Sequence, residues 1–326
     1  MHRNARLGYM ITIAAAVIWA ATSPGIQYLL DTHHVPALAV AFWRDAMIAI
    51  ACLAGLAALR PALLRVSGRD LRELALAGSL SIGLYHALWV YSIVLNGAAV
   101  AVVMVYTFPT FVTLGAWLFY GERIRWPQVL ALVVALLGCA LLVRAYDPAV
   151  LRVSWLGTLV GLVTGISQAG YVLYNQRAMK THSPWTALTY TMLFGSLALL
   201  ALWGLSAATG IFPIGPTSNL LAAVGGTLAP WLVLLALALG PTLVGYALFT
   251  SALRYLPGSV ASVVIMLEAP VSVLMTVVFL GARLEWPQTL GIALILGASV
   301  LPRLQALEAG APASQDARYS GGQEAA

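Results

Sequence analysis

The chain has 326 residues, of which 61% are hydrophobic and 9% charged, with a mean hydropathy of +0.90 and a formal net charge of +6. Water-soluble domains do not carry this composition, so a soluble catalytic domain is excluded as the bulk of the molecule. The positive charge is spread over separate short segments, which fits anchoring at a membrane surface and argues against a nucleic-acid partner.

The apolar residues come in blocks near the ~20 residues that a helix needs to cross the hydrocarbon core. They are too continuous for the alternation of a barrel, and in lipid the helix is the other way to satisfy every backbone polar group. In chain order the blocks predict ten spans, at about 7–30, 37–59, 71–94, 99–119, 126–144, 154–175, 185–207, 229–252, 259–280 and 286–304. The segment 206–230 is punctuated by Gly210, Pro213, Gly215, Pro216 and Asn219 and reads as a loop. The turns Leu95–Ala98 and Leu256–Ser259 are so short that the helices they join must be antiparallel neighbours. The expected fold class is an all-α integral membrane protein, with residues 305–326 as a disordered cytoplasmic tail.

Basic residues orient the spans. With the N-terminus inside, thirteen Lys and Arg fall on the cytoplasmic side, against Arg144, Arg152 and Arg283 outside and Arg44 within a span. Both termini are therefore expected in the cytoplasm. The first apolar block runs uninterrupted to about Leu30, which suits a retained span better than a cleaved signal. Cys52 and Cys139 each fall inside a span, giving neither a disulfide framework nor a metal cluster. Arg-dominated basic usage with abundant Ala, Leu and Gly points to a bacterial inner membrane.

Hydropathy is accompanied by an internal repeat. GERIRWPQVLALVVALLG (Gly121–Gly138) is echoed by GARLEWPQTLGIALILGA (Gly281–Ala298). With one gap, LNGAAVAVVMVYTFP (Leu95–Pro109) aligns with LPGSVASVVIMLEAP (Leu256–Pro270), which sets Tyr85 on Tyr246, Pro109 on Pro270 and Thr107 on Glu268. The halves are expected at 7–144 and 154–304. Five helices is an odd number, so the second half must enter the membrane upside down relative to the first, the inverted arrangement used by alternating-access transporters.

These features, with FPTFVTLGAWLFYGERI and LEAPVSVLMTVVFLGARL, resemble the drug/metabolite transporter superfamily, specifically its EamA-type ten-helix transporters, over about residues 8–304. The first half carries the family's Pro then Gly-Glu pattern as Pro109 with Gly121-Glu122. The second has Gly281-Ala282 instead, so its terminal glutamate is absent or replaced by Glu285. The resemblance implies export of small solutes, amino acids or related metabolites among them.

The residues also suggest a solute path. Thr164, Gln168, Tyr171 and Asn175 recur at helical spacing on one face, as do Tyr106, Thr110, Thr113 and Trp117, while the first span carries Trp19, Ser23 and Gln27. The alternative for these hydroxyls is bonding to their own backbone and packing between helices. Tyr85, His86, Trp89 and Tyr246, with Thr250, add to the set, and the deeper aromatics offer apolar walls with cation–π contact to an amine. Trp126, Trp155, Trp185, Trp231 and Trp286 stand at span ends and read as interface anchors. Two charges lie deep. Arg44 is a candidate contact for a substrate carboxylate, with Asp45 expected to find a different partner because adjacent residues do not share a helix face. Glu268, two residues before Pro270, is either a proton-sensitive or amine-binding group or a structural bond to a neighbouring helix. Pro109 and Pro270 are candidate hinges.

The substrate-binding set is thus Trp19, Gln27, Arg44, Tyr85, His86, Trp89, Tyr106, Gln168, Tyr171, Tyr246 and Glu268. No phosphate loop, zinc motif or nucleophile elbow appears, so neither an enzyme nor a cofactor or metal is expected. The reading is an exporter of small amphipathic solutes working by alternating access among membrane lipids, with proton coupling, solute exchange and uniport all open. The alternative is a passive channel or a non-transporting receptor.

Overall fold

The computed structural model describes residues 2–149, 154–210, 219–280 and 283–308, and among them every regular element is helical. The chain opens with α1 (His2–Ala20) and α2 (Thr22–His33), which are separated by a turn at Ala21 and together make one apolar rod. His34, at φ 51°, stops it, and Pro36 starts α3 (Ala37–Leu59). After Pro61, Ser67 accepts a bond from the Asp70 amide and caps α4 (Gly68–Gly78). A π-helical turn over Ser79–Gly83 leads into α5 (Leu84–Val105), which breaks at Gly97. The φ of 77° and ψ of 163° there are open to glycine and to almost nothing else, so the expected tight turn at Leu95–Ala98 is a glycine kink. Next come α6 (Phe108–Tyr120), closed by left-handed Gly121, and α7 (Trp126–Leu142), opened by Pro127.

Beyond the loop, α8 (Trp155–Ala178) is capped by Ser154 and α9 (Pro184–Thr209) by Ser183. The short α10 (Leu220–Val224) is set apart from α11 (Leu228–Leu237) by Gly225 at φ 94°. A second π-helical turn, Ala238–Thr242 with Pro241 inside it, joins α11 to α12 (Leu243–Ala252). The chain continues through α13 (Gly258–Val264), a 3₁₀ turn at Ile265–Leu267, α14 (Glu268–Leu280) and α15 (Trp286–Glu308). That last helix continues past 305, into the stretch expected as tail; residues 309–326 of the tail lie outside the described residues.

Among the described residues, eight helices are long and apolar enough to cross a membrane. Two apolar helices, Trp126–Leu142 and Trp286–Leu301, occupy the expected fifth and tenth spans but are shorter. At ~1.5 Å per residue the 17 residues of α7 reach about 25 Å, just under the ~30 Å hydrocarbon core.

The short pair packs along its length. A Cβ on Gly138 would lie 2.8 Å from the Gly291 carbonyl, and one on Gly291 would lie 2.5 Å from that of Gly138, so the backbones touch where both side chains are absent. Gly138 also faces Leu294 and Ile295, whereas Gly291 faces Leu141 and Leu142, and Gln288 Nε2 donates to the Leu142 carbonyl at 3.0 Å. Positions rise along α7 as they fall along α15, so the two helices are antiparallel. Elsewhere α5 packs on α8, α3 on α9 and α1 on α12. The Ser167 hydroxyl takes up the Leu80 carbonyl in the first π turn, satisfying a group outside the regular helical ladder.

Candidate functional site

Helix interruptions place the candidate residues. Helical bonding is broken at Tyr106–Thr107 ahead of Pro109 and replaced by the 3₁₀ turn ahead of Pro270. Both prolines therefore begin new helical segments, where a missing N–H costs little, rather than bending continuous ones. The aligned residues Thr107 and Glu268 stand at these breaks with different partners. Thr107 Oγ1 turns back on the Met104 carbonyl, while the Glu268 side chain reaches a cavity.

This cavity, of 360 Å³, is lined from both sequence halves, by residues between Trp19 and Val143 and between Gln168 and Val273. Of the predicted binding residues, Trp19, Arg44, Tyr85, His86, Trp89, Tyr106, Gln168, Tyr246 and Glu268 meet on its wall. Two do not. Gln27 is exposed and borders a separate groove with Tyr28 and Asp31, because α2 turns Thr22, Ser23, Ile26 and Leu30 to the cavity and leaves Gln27 on another face. Tyr171 is 1% exposed and stands behind the wall, its hydroxyl 2.8 Å from Thr250 Oγ1 and its ring 5.4 Å from that of Tyr246. It supports a lining residue.

The other stripe residues divide in the same way. Thr164 bonds its own helix at the Val160 carbonyl, and Asn175 Nδ2 bonds the Tyr171 carbonyl, as the backbone-bonding alternative requires. Trp117 is 55% exposed on the outer surface. Trp126, Trp155, Trp185 and Trp286 are exposed at helix starts, as anchors should be, whereas the Trp231 ring packs 5.0 Å from Trp43.

The cavity's aromatic wall is made by Trp19 against Tyr246, centroids 4.4 Å apart and edge-on, and by Tyr85 beside His86 at 4.9 Å. Its charged wall is a buried cluster. His86 Nδ1 lies 2.8 Å from Asp45 Oδ2, His86 Nε2 lies 2.7 Å from Arg44 Nη2, and Arg44 Nε lies 3.4 Å from Asp45 Oδ1. The expectation of separate partners for Arg44 and Asp45 is corrected here: one imidazole from α5 bridges two adjacent residues of α3. Arginine only donates and a carboxylate accepts, so the cluster selects a neutral His86 protonated at Nδ1. Sequence reasoning missed this because a bridge across 41 positions leaves no local pattern. Glu268 makes no ion pair within 4.0 Å to any described residue, and Gln168 Oε1, buried, has no hydrogen-bond partner among them.

Away from the cavity, a hydrogen-bond network joins three segments around Glu122. Gln176 Nε2 donates to Glu122 Oε1 at 2.9 Å, Ser259 Oγ donates to Glu122 Oε2 at 2.7 Å, and the Gly258 amide donates to Gln176 Oε1 at 2.9 Å. This ties the segment after α6 to α8 and α13. Among the described residues no group of three or more His, Cys, Asp or Glu could hold a metal.

A protein whose described residues include eight helices long and apolar enough to cross a membrane, with a cavity of mixed polarity lined from both sequence halves, belongs to the multi-pass membrane proteins. The model of the EamA-like transporter family matches residues 6–144 and again 155–302, and the chain belongs to that family. It is 30% identical to a probable terminal-alkyne amino-acid exporter of Streptantibioticus cattleyicolor, over 82% of this chain and 84% of that one. It is 27% identical to an uncharacterized transporter of Archaeoglobus fulgidus over 74% and 80% of the two chains. The Salmonella typhimurium inner membrane transporter YicL is 24% identical over 91% and 95%. A crystal structure 17% identical to this chain, covering 93% of it and 98% of its own length, superposes with a TM-score of 0.74, a likeness of fold.

Proposed function

We propose that the protein exports small amphipathic metabolites such as amino acids from the cytoplasm by alternating access. The observation that carries this reading is the cavity itself. It draws on both halves of the sequence, has aromatic walls, and holds one guanidinium and one carboxylate, a lining suited to a small solute with an apolar body and a charged head. The relative named a probable amino-acid exporter supports the solute class.

Two matched segments, 6–144 and 155–302, support two related halves at 7–144 and 154–304. The π turns at Ser79–Gly83 and Ala238–Thr242, and the antiparallel run of α7 and α15, support their inversion into a ten-span bundle. In this reading both termini face the cytoplasm of a bacterial cell, and the Glu122 network seals the cytoplasmic end. The cavity then faces outward. Pro109 and Pro270 mark where segments pivot as the seal opens, with a proton or a second solute moving in exchange.

The test is flux in proteoliposomes holding the full chain, with a panel of radiolabelled amino acids and amines offered with and without a pH gradient. Transport that saturates and shows counterflow is expected. Flux that is linear in concentration and lacks counterflow would instead make the protein a channel, and absence of flux for every solute would leave a receptor.

A further inference from the structure

The cavity contains two opposite charges, Arg44 and Glu268, which taken alone would suit a zwitterion held at both ends. Their surroundings differ. Asp45 is fully buried and meets Arg44 both directly and through His86, and the neutral imidazole adds no charge. The cluster therefore sums to zero. Two of the five guanidinium N–H groups, one on Nε and one on Nη2, are already spent inside it. Glu268 makes no ion pair within 4.0 Å among the described residues, and the unpartnered polar atoms on the same wall are the Gln168 Oε1 acceptor and the Thr22 hydroxyl. The Trp19, Tyr85 and Tyr246 faces add attraction for a cation and none for an anion.

We propose that Asp45 and His86 determine specificity by holding Arg44 in a neutral cluster, leaving Glu268 as the cavity's carboxylate without an ion-pair contact among the described residues, so that the cavity selects solutes bearing an ammonium and does not require a carboxylate. The proposal rests on the cavity being the solute site. Asp45 does not line the cavity and acts through Arg44, as a positioning residue; His86 stands on the wall and also holds Arg44 in place.

Three probes sharing one side chain test it: phenylalanine, phenethylamine, which lacks the carboxylate, and N-acetylphenylalanine, which lacks the ammonium. Each is measured for saturable uptake by the reconstituted full chain. Phenethylamine should match phenylalanine within about threefold and N-acetylphenylalanine should fall about tenfold or more below, the loss of one charge-assisted contact. Glu268→Gln should remove the advantage of the amine. Asp45→Asn uncovers the Arg44 charge and should raise N-acetylphenylalanine relative to phenethylamine by about tenfold, a reversal that a merely structural residue would not produce. His86→Leu breaks the bridge between Arg44 and Asp45 and should shift the preference in the same direction by a smaller factor; it serves where Asp45→Asn does not fold. A wild-type preference for the N-acetyl acid, or an amine preference untouched by Glu268→Gln, overturns the inference while leaving transport intact. Failure of all three probes to saturate overturns the solute site together with it.

Discussion

Glu122 and Glu285 both stand just ahead of a Trp-Pro-Gln triplet, in corresponding parts of the repeat, yet they do opposite amounts of structural duty. Glu122 is partly buried and accepts from Gln176 and Ser259, joining three segments at one end of the bundle. Glu285 is 44% exposed, pairs with Arg144 at 2.9 Å and accepts the Tyr146 hydroxyl at 2.7 Å, at the far end. The lesson is that a carboxylate's leverage follows from how many elements it links and how little water competes, and charge alone does not supply it. Glu268 extends the contrast, as a carboxylate in the cavity with no ion-pair partner among the described residues.

The largest effect is expected where the carboxylate's partner is the solute. Glu268→Gln should lower transport ten- to hundredfold, matching the ~1.5–3 kcal/mol of a charge-assisted bond, with membrane insertion preserved. An unchanged initial rate in proteoliposomes would assign Glu268 to packing. Next is the closure. Glu122→Ala removes two bonds that hold one end shut, shifting the balance toward the open form by about 1.5–3 kcal/mol. With Cys52 and Cys139 replaced by Ala, a cysteine at Ala269 in the cavity wall should then react faster with an impermeant thiol reagent added from the Glu122 side. Equal labelling rates would mean that the network does not gate.

The smallest effect belongs to the surface pair. Glu285→Ala should cost about 0.2–1 kcal/mol in thermal unfolding and fade further in high salt. The Glu285 carboxylate, which accepts its hydroxyl, pushes the Tyr146 phenol up from its ordinary value of 10.0. A raised folded-state value means that this contact's contribution is whole below pH 10 and is lost as pH rises through the shifted value. The wild type should therefore show an alkaline loss of stability that Tyr146→Phe lacks, and identical pH profiles for the two would separate the tyrosine from the ion pair.

Much of the architecture was legible because it rests on terms that act locally along the chain. Apolar blocks of span length predict helices wherever they stand, and the starts expected at 37 and 286 and the end expected at 119 fall at or within one residue of Ala37, Trp286 and Tyr120. Where the reading slipped, the cause was which part of a helix face meets the cavity. In α2 the lining runs through Ser23, Ile26 and Leu30, a stripe that a count in fours from Trp19 does not follow, so Gln27 falls beside it. Tyr171 lay on the expected stripe, but the stripe is wider than the opening it approaches, so its outer members pack behind the wall.

By itself, then, the sequence determined that this is a helical membrane protein, roughly where its apolar spans lie, and which side chains are too polar for lipid, because the cost of unsatisfied groups in hydrocarbon applies residue by residue. Only the tertiary structure decided that His86 would join Arg44 and Asp45 into one neutral cluster while Glu268 would go unanswered. A pairing between helices depends on which faces meet, and an interaction across tens of positions in the chain is fixed by packing and has no local sequence signal.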